Sequence, residues 1–209
     1  MSDSPLVSVI VPTYNMAEYV GECISSILEG NFDSIEVIVV NDGSADDTEK
    51  VVRRYTNPDS DVYDSRVIYK SQKNGGKSKA VNYGISISRG PFLSIVDADD
   101  QLTKNSIEKR YRARSKEEGR SCDLIIGGFE VFDRNETYGK RNPPKSVGAP
   151  ELHSNFYLNW KTPFHLNACL ISRNLIERVG GLDESLHRCI DGDYALRLLR
   201  EARDIQTVD

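Results

Sequence analysis

No run in the sequence approaches the ~20 apolar residues that span a bilayer. "MSDSPLVSVIVPTYN" has neither the basic start nor the long apolar core of a signal peptide. The four cysteines, Cys23, Cys122, Cys169 and Cys189, show no CxxC spacing, which excludes a zinc ribbon and a dense disulfide framework. They read as reduced thiols in a cytoplasmic chain, or one peripheral to the inner face of a membrane, where the sequon "NET" at Asn135 goes unglycosylated. Bases are in deficit: 27 Lys and Arg against 32 Asp and Glu, a net charge of −5. That balance argues against nucleic acid as the main partner, and an anionic substrate would need a metal or a local basic patch. No Pro/Gly/Ser-rich linker divides the 209 residues, so one domain is expected. The last stretch, "REARDIQTVD", offers no clear terminal element, as in a piece cut from a longer protein.

What is present is 38% hydrophobic and 28% charged, a composition able to bury a core. "LVSVIVP" at 6–12 reads as a buried strand and is followed by a helical pattern at 16–29. "IEVIVVNDGS" is a second strand and turn, after which Ser44, with Asp47 three residues on, is placed to cap "DDTEKVVRRYT". "RVIYK", "GKSKAVNYGISIS" and "FLSIV" continue the alternation as strand, helix and strand. Such alternation predicts an α/β fold with a Rossmann-like, mostly parallel central sheet and helices on both faces. A helix at 103–118, the strand "DLIIGGFEVFD", an irregular loop around Pro143-Pro144, the strand "NACLISR", a short helix ended by Gly180-Gly181 and the helix "DGDYALRLLREAR" complete the chain. This second half is expected to form a smaller lobe over the acidic strand ends.

Ligands of open α/β sheets bind outside the carboxyl ends of the strands. Those ends carry Thr13-Tyr14-Asn15, Asn41-Asp42-Gly43-Ser44 and, after "FLSIV", Asp97-Ala98-Asp99-Asp100. Three acids within four residues repel one another unless a cation, a proton or open water intervenes. Mg²⁺ and Mn²⁺ favour oxygen ligands and are commonly held by one or two carboxylates plus substrate phosphates. The other reading is a solvated turn with Asp100 capping the next helix. EF-hand spacing is superficially met, with Glu108 twelfth from Asp97, but Leu102 stands where that loop needs glycine. A dinucleotide-dependent oxidoreductase is disfavoured because "VPTYNMAEYV" contains no glycine. A phosphatase using "DADD" stays open.

"VSVIVPTYNMAEYVGECISSIL", "IEVIVVNDGSADDT", "NGGKSKAVNYGI" and "FLSIVDADD", in that order and at these separations, resemble the inverting family 2 glycosyltransferases of GT-A fold. The resemblance runs from Leu6 to Arg200, and beside the enzyme it leaves open a non-catalytic sugar-nucleotide-binding remnant. It implies transfer of a sugar from a nucleotide donor, most often UDP-linked, to a hydroxyl of a glycan or lipid-linked acceptor. It also implies Mn²⁺ or Mg²⁺ on the diphosphate and work in cell-surface polysaccharide biosynthesis. Residues 6–100 would bind the nucleotide-sugar and 101–209 the acceptor. Mapped residue by residue, Pro12, Thr13 and Tyr14 would border the nucleoside, with the Tyr14 ring stacking on a base or simply half-buried at a strand end. Asp42 would accept from a uracil N–H or stabilise the "NDGS" turn. Gly75, Lys77 and Lys79 would meet the phosphates, or the lysines are ordinary helix-surface residues. Asp97, with Ala98 beside it, would contact ribose or metal, and Asp99 would be the direct metal ligand. The family's base lies in an "ED" pair before a helix like "YALRLL". Here that pair is Gly192-Asp193, so the base maps to Asp193 with the preceding acid missing. Either Asp191 compensates or the register slips by two; as a structural alternative, Asp191 is an N-cap and Asp193 a first-turn acid. Trp160, His165 and His187 receive no role.

Overall fold

The computed structural model describes residues 4–114, 122–132, 137–142 and 164–208. Asn135, Pro143-Pro144 and Trp160 lie outside them. The first strands, β1 (Val7–Thr13) and β2 (Ile35–Asn41), are buried at every position because both sheet faces are covered. Alternation along the strand then decides which cover each residue meets. Val7, Val9, Val11, Val37 and Val39 pack with Val20, Cys23, Ile24 and Ile27 of α1 (Val20–Leu28) and with Val52 and Tyr55 of α2 (Thr48–Thr56). On the opposite face Ile10 meets Leu93 and Ile95 of β4 (Phe92–Ile95) and Val81 of α3 (Lys77–Ile87), while Ile38 and Val40 meet Ala80. Burial of each such side chain contributes roughly 1.5–3 kcal/mol.

The sheet has seven strands in the order β3-β2-β1-β4-β8-β5-β9, with β3 at Val67–Ser71, β5 at Leu124–Gly127, β8 at Cys169–Ser172 and β9 at Ile205–Val208. Pairings are parallel except that β8 runs antiparallel to both β4 and β5. Thr13 lies opposite Asn41, and Val96 donates to the carbonyl of Ile10, so the loops after β1, β2 and β4 leave one edge. α4 (Ser106–Ala113), α5 (Arg173–Val179) and α6 (Ile190–Glu201) complete the cover, with Tyr194, Ala195, Leu198 and Leu199 of α6 in the same cluster as Ile10.

Several local expectations are corrected. "DLIIGGFEVFD" is two strands: β5 is buried in the main sheet, while the largely exposed β6 (Phe129–Phe132) pairs with β7 (Thr137–Arg141) as a separate hairpin. The chain's last stretch is ordered after all, as β9 parallel to β5. Its side chains are only half buried, so it carries no apolar run to read. α1 begins at Val20, four residues later than the periodicity suggested. Ser44 does not cap α2; the Asp46 carboxylate accepts from the N–H of Thr48 at 3.0 Å, and Ser44 serves the loop after β1 instead.

Candidate active site

The loops after β1 and β2 are laced together by side chains that satisfy backbone groups. Asn15, in the left-handed region at φ 52°, donates its N–H to Ser44 Oγ at 2.9 Å and accepts from the N–H of Ala45 at 2.8 Å. The N–H groups of Met16 and Ala17 donate to Thr48 and Asp46. Asn41 stabilises the "NDGS" turn, its Oδ1 accepting from the N–H of Ser44. Pro12 and Thr13 are buried beneath this lacing, whereas Tyr14 is 48% exposed and presents its ring at the edge.

Asp42 is only 3% exposed. One of its oxygens accepts from Gln72 at 2.8 Å and from the N–H of Gly75 at 2.9 Å, and the other from the N–H of Gly76 at 2.7 Å. The carboxylate thus shapes the "NGG" turn, where Gly76 takes φ +91°. Gly43 supports the same turn from β2, with φ +75°; a Cβ there would stand 2.8 Å from the backbone nitrogen of Asn74. The outcome is Lys77 at the first position of α3, aimed at the acidic loop. Lys79 is exposed.

Lys77 is where the two halves of the chain meet. Its ammonium lies 2.8 Å from one oxygen of Asp97 and 3.0 Å from one of Asp191, and within 3.1 Å of the second oxygen of each. Burial works against its charge, yet these two carboxylates hold Lys77 above the ordinary lysine range. Asn167 adds a second tie: its amide donates to Asp97 at 3.2 Å and also to Asp100. Burial, together with the charges of Asp97 and Asp99, still pushes the Asp100 carboxyl up against that hydrogen bond. Ala98 is buried and Asp99 is exposed. Under the loop, burial and all three acids push the Cys23 thiol up, so it is inert.

Among the described residues no three His, Cys, Asp or Glu are grouped so as to hold a metal ion. What the acidic loop offers is a pair of carboxylates, Asp97 and Asp99, and a third, Asp100, that their charge opposes. Two carboxylates suit a hard divalent ion that takes its remaining oxygen ligands from outside the chain rather than a cation enclosed by protein.

Asp193 is not brought to this cluster. It pairs with Arg197 at 2.9 Å, and Arg197 in turn donates to the carbonyls of Val179 and Gly181. The reason is helical: at about 100° per residue, side chains two apart face nearly opposite ways, so α6 presents Asp191 and not Asp193 to Lys77. Cys189, at φ 55°, precedes the helix, so Asp191 is no N-cap. His187 is exposed, and His165 packs on Phe129 with ring centroids 5.4 Å apart. Asn167 went unread in the sequence, since a lone asparagine 70 residues from Asp97 leaves no motif. Beside the acidic loop, a cleft of about 1760 Å³ runs between α1, α4 and the β6–β7 hairpin. Asp99, Asp100, Arg110, Phe129, His165 and Asn167 are among its lining residues.

The family model described as Glycosyl transferase family 2 matches residues 8–180. An uncharacterized glycosyltransferase of Rickettsia typhi is 32% identical over 198 residues, 94% of this chain and 59% of its own length. The uncharacterized glycosyltransferase EpsJ of Bacillus subtilis is 32% identical, covering 98% of this chain and 59% of its own length. The chain therefore spans less than two thirds of these curated relatives. The fold is that of S. aureus TarS, solved with UDP-GlcNAc: TM-score 0.77, 21% identity, over 97% of this chain and 55% of that one. The mannosyltransferase PcManGT of Pyrobaculum calidifontis, solved with GDP-Man and Mn²⁺, gives a TM-score of 0.69 at 22% identity, over 99% of this chain and 55% of that one.

Proposed function

The chain belongs to glycosyl transferase family 2, with the GT-A fold, and from that premise we propose that it moves a sugar from a nucleotide donor, UDP-linked by preference, to an acceptor hydroxyl with inversion. The observation that carries this reading is the meeting of Lys77, Asp97 and Asp191 at one strand edge, from segments 114 residues apart in sequence. The UDP-GlcNAc and GDP-Man complexes of the two neighbours support a nucleotide-sugar donor, and the Mn²⁺ in one of them supports a divalent ion.

In this reading Tyr14, exposed next to buried Pro12 and Thr13 in the chain, stacks on the base. Asp42 positions the Gly75-Gly76 turn and so the ammonium of Lys77, which offers its charge to the diphosphate. Asp99, with Asp97, would hold Mn²⁺ or Mg²⁺, and a divalent ion there would supply Lewis-acid neutralisation of charge on the departing diphosphate. Asp191 is the base in preference to Asp193. Its carboxylate takes the acceptor's hydroxyl proton as that oxygen bonds to the anomeric carbon, on the face away from the diphosphate. The bond from the anomeric carbon to the diphosphate oxygen breaks, and its electron pair leaves with the nucleotide. The acceptor is a glycan or lipid-linked glycan, met at the inner face of the membrane; no described helix is long and apolar enough to cross one.

A screen of UDP-, GDP- and dTDP-sugars for nucleotide release with Mn²⁺ present tests the proposal. Release from at least one donor, stimulated by an acceptor glycan, is the expected result. Binding of donors without release under any acceptor would leave a non-catalytic sugar-nucleotide-binding protein.

A further inference from the structure

Arg110, on α4, is 3% exposed and has no ion-pair partner among the described residues. Its Nε donates to the carbonyl of Ser106 at 3.0 Å, and its Nη1 to those of Cys169 at 3.1 Å and Asn167 at 3.4 Å. Nη2 has no acceptor among the described residues, and the side chain borders the cleft beside the acidic loop. Three carbonyls would be met as well by a neutral donor, so they do not account for a charge whose removal from water is costly. Burial pulls its pKa down only to about 10, so the guanidinium stays charged near neutrality.

The surrounding cleft is polarised. Glu18 and Glu22, from the α1 side, and Asp99 and Asp100, from the acidic loop, line it where the proposed donor and its ion would bind, while Lys104, Lys109 and Arg110 line the α4 flank. Lys140, farther along, is already paired with Glu130. A planar fork with free N–H groups in a partly desolvated wall is suited to a tetrahedral oxyanion.

We propose that this cleft is an acceptor subsite in which Arg110 receives a phosphate monoester or diester group carried by the acceptor. The inference rests on the glycosyltransferase reading for the word acceptor, but the anion site itself does not. Two sources share the chemistry: a lipid-linked phosphate and a polyol-phosphate glycan.

The test uses the full chain with the donor pocket filled by UDP and Mg²⁺, titrated with inorganic phosphate while arginine side-chain Nε–H signals are followed by NMR. The Arg110 signal, identified by its loss in Arg110→Lys, is expected to shift in a saturable way. Arg110→Lys and Arg110→Met are each expected to weaken phosphate binding at least tenfold while leaving UDP affinity unchanged. Should Arg110→Met fail to fold, the lysine variant and the wild-type shift still decide the matter. An unmoved Arg110 signal, or equal phosphate affinity in the lysine variant, overturns the proposal. Competition by polyprenyl phosphate in phosphatidylcholine vesicles marks the lipid source, and competition by a soluble glycerol-phosphate oligomer marks the glycan. Phosphate bound but displaced by neither is an adventitious ion only, and it too overturns the proposal. Failure of the wild type to bind UDP would count against the donor reading alone.

Discussion

At the level of single residues, the acidic loop shows how like charges are kept together. Asp97 is held by Lys77 and Asn167, Asp100 by Asn167, and Asp99, the exposed one of the three, has neither a side-chain hydrogen bond nor an ion pair among the described residues. This division makes Asp99 the residue whose charge is most available to a cation. Asp99→Asn is expected to lower Mn²⁺-dependent UDP affinity at least tenfold, about 1.4 kcal/mol. Calorimetry with and without the ion checks it, and unchanged affinity would remove Asp99 from the ligand set. The acids themselves were legible, because three carboxylates after an apolar run are conspicuous in any sequence. Their partners were less so. Lys77 stood out only through its neighbouring glycines, and Asn167 and Arg110 not at all, because what distinguishes them is burial against a loop remote in sequence.

At the level of elements, the Gly43 turn is the joint on which the Lys77 loop rests. Gly43→Ala would force a side chain into the left-handed region, costing about 1–2 kcal/mol. It would also press a Cβ to 2.8 Å from the Asn74 backbone, which cannot yield as a flexible side chain does. Reduced stability in urea and a weaker UDP complex are expected together, since the displaced segment delivers Lys77. A variant as stable and as tightly binding as the wild type would show that the turn tolerates the change. The strands β1, β2 and β4 were readable as runs of buried, mostly apolar residues, β3 from its Val67-Ile68-Tyr69 core although only Val67 is buried, and the helices from a 3.6-residue pattern. β9 and the break between β5 and β6 were not. β9 is half exposed, and the two glycines at 127 and 128 hide a change of sheet inside one apparent strand. In the same way α6 was foreseen as an amphipathic helix, but its rotation was not, and rotation alone decides between Asp191 and Asp193.

For the molecule as a whole, Glu36 ties three segments of the sheet's buried edge. It accepts from Ser8 at 2.7 Å and from the backbone and side chain of Arg89 at 2.6 and 2.9 Å. Burial by itself would raise its pKa, yet these hydrogen bonds outweigh it and hold the carboxyl below its ordinary 4.5. The unfolded chain then binds more protons than the folded one as pH falls below that value, so this contribution to stability is present above it and lost in acid. Thermal melts of Glu36→Gln should show a lower midpoint near neutrality, reflecting about 1–3 kcal/mol of stability lost to the mismatched donors. They should also show a flatter decline in acid than the wild type; parallel curves would contradict the assignment. The parallel run of the first four strands followed from alternation in the sequence, and the convergence of their loops from the rule for parallel sheets, whereas their order β3-β2-β1-β4 did not. What only the assembled sheet discloses is that α6 returns a carboxylate to Lys77, and on that return the catalytic account depends. The most direct test is one transfer assay at saturating donor comparing Asp191→Asn with Asp193→Asn. The account predicts a rate loss of ~10²–10⁴-fold at Asp191 with nucleotide binding retained. At Asp193, where only a partly exposed pair with Arg197 worth about 0.3–0.5 kcal/mol is lost, near-normal turnover is predicted. A larger loss at Asp193, or full activity in both variants, would contradict it.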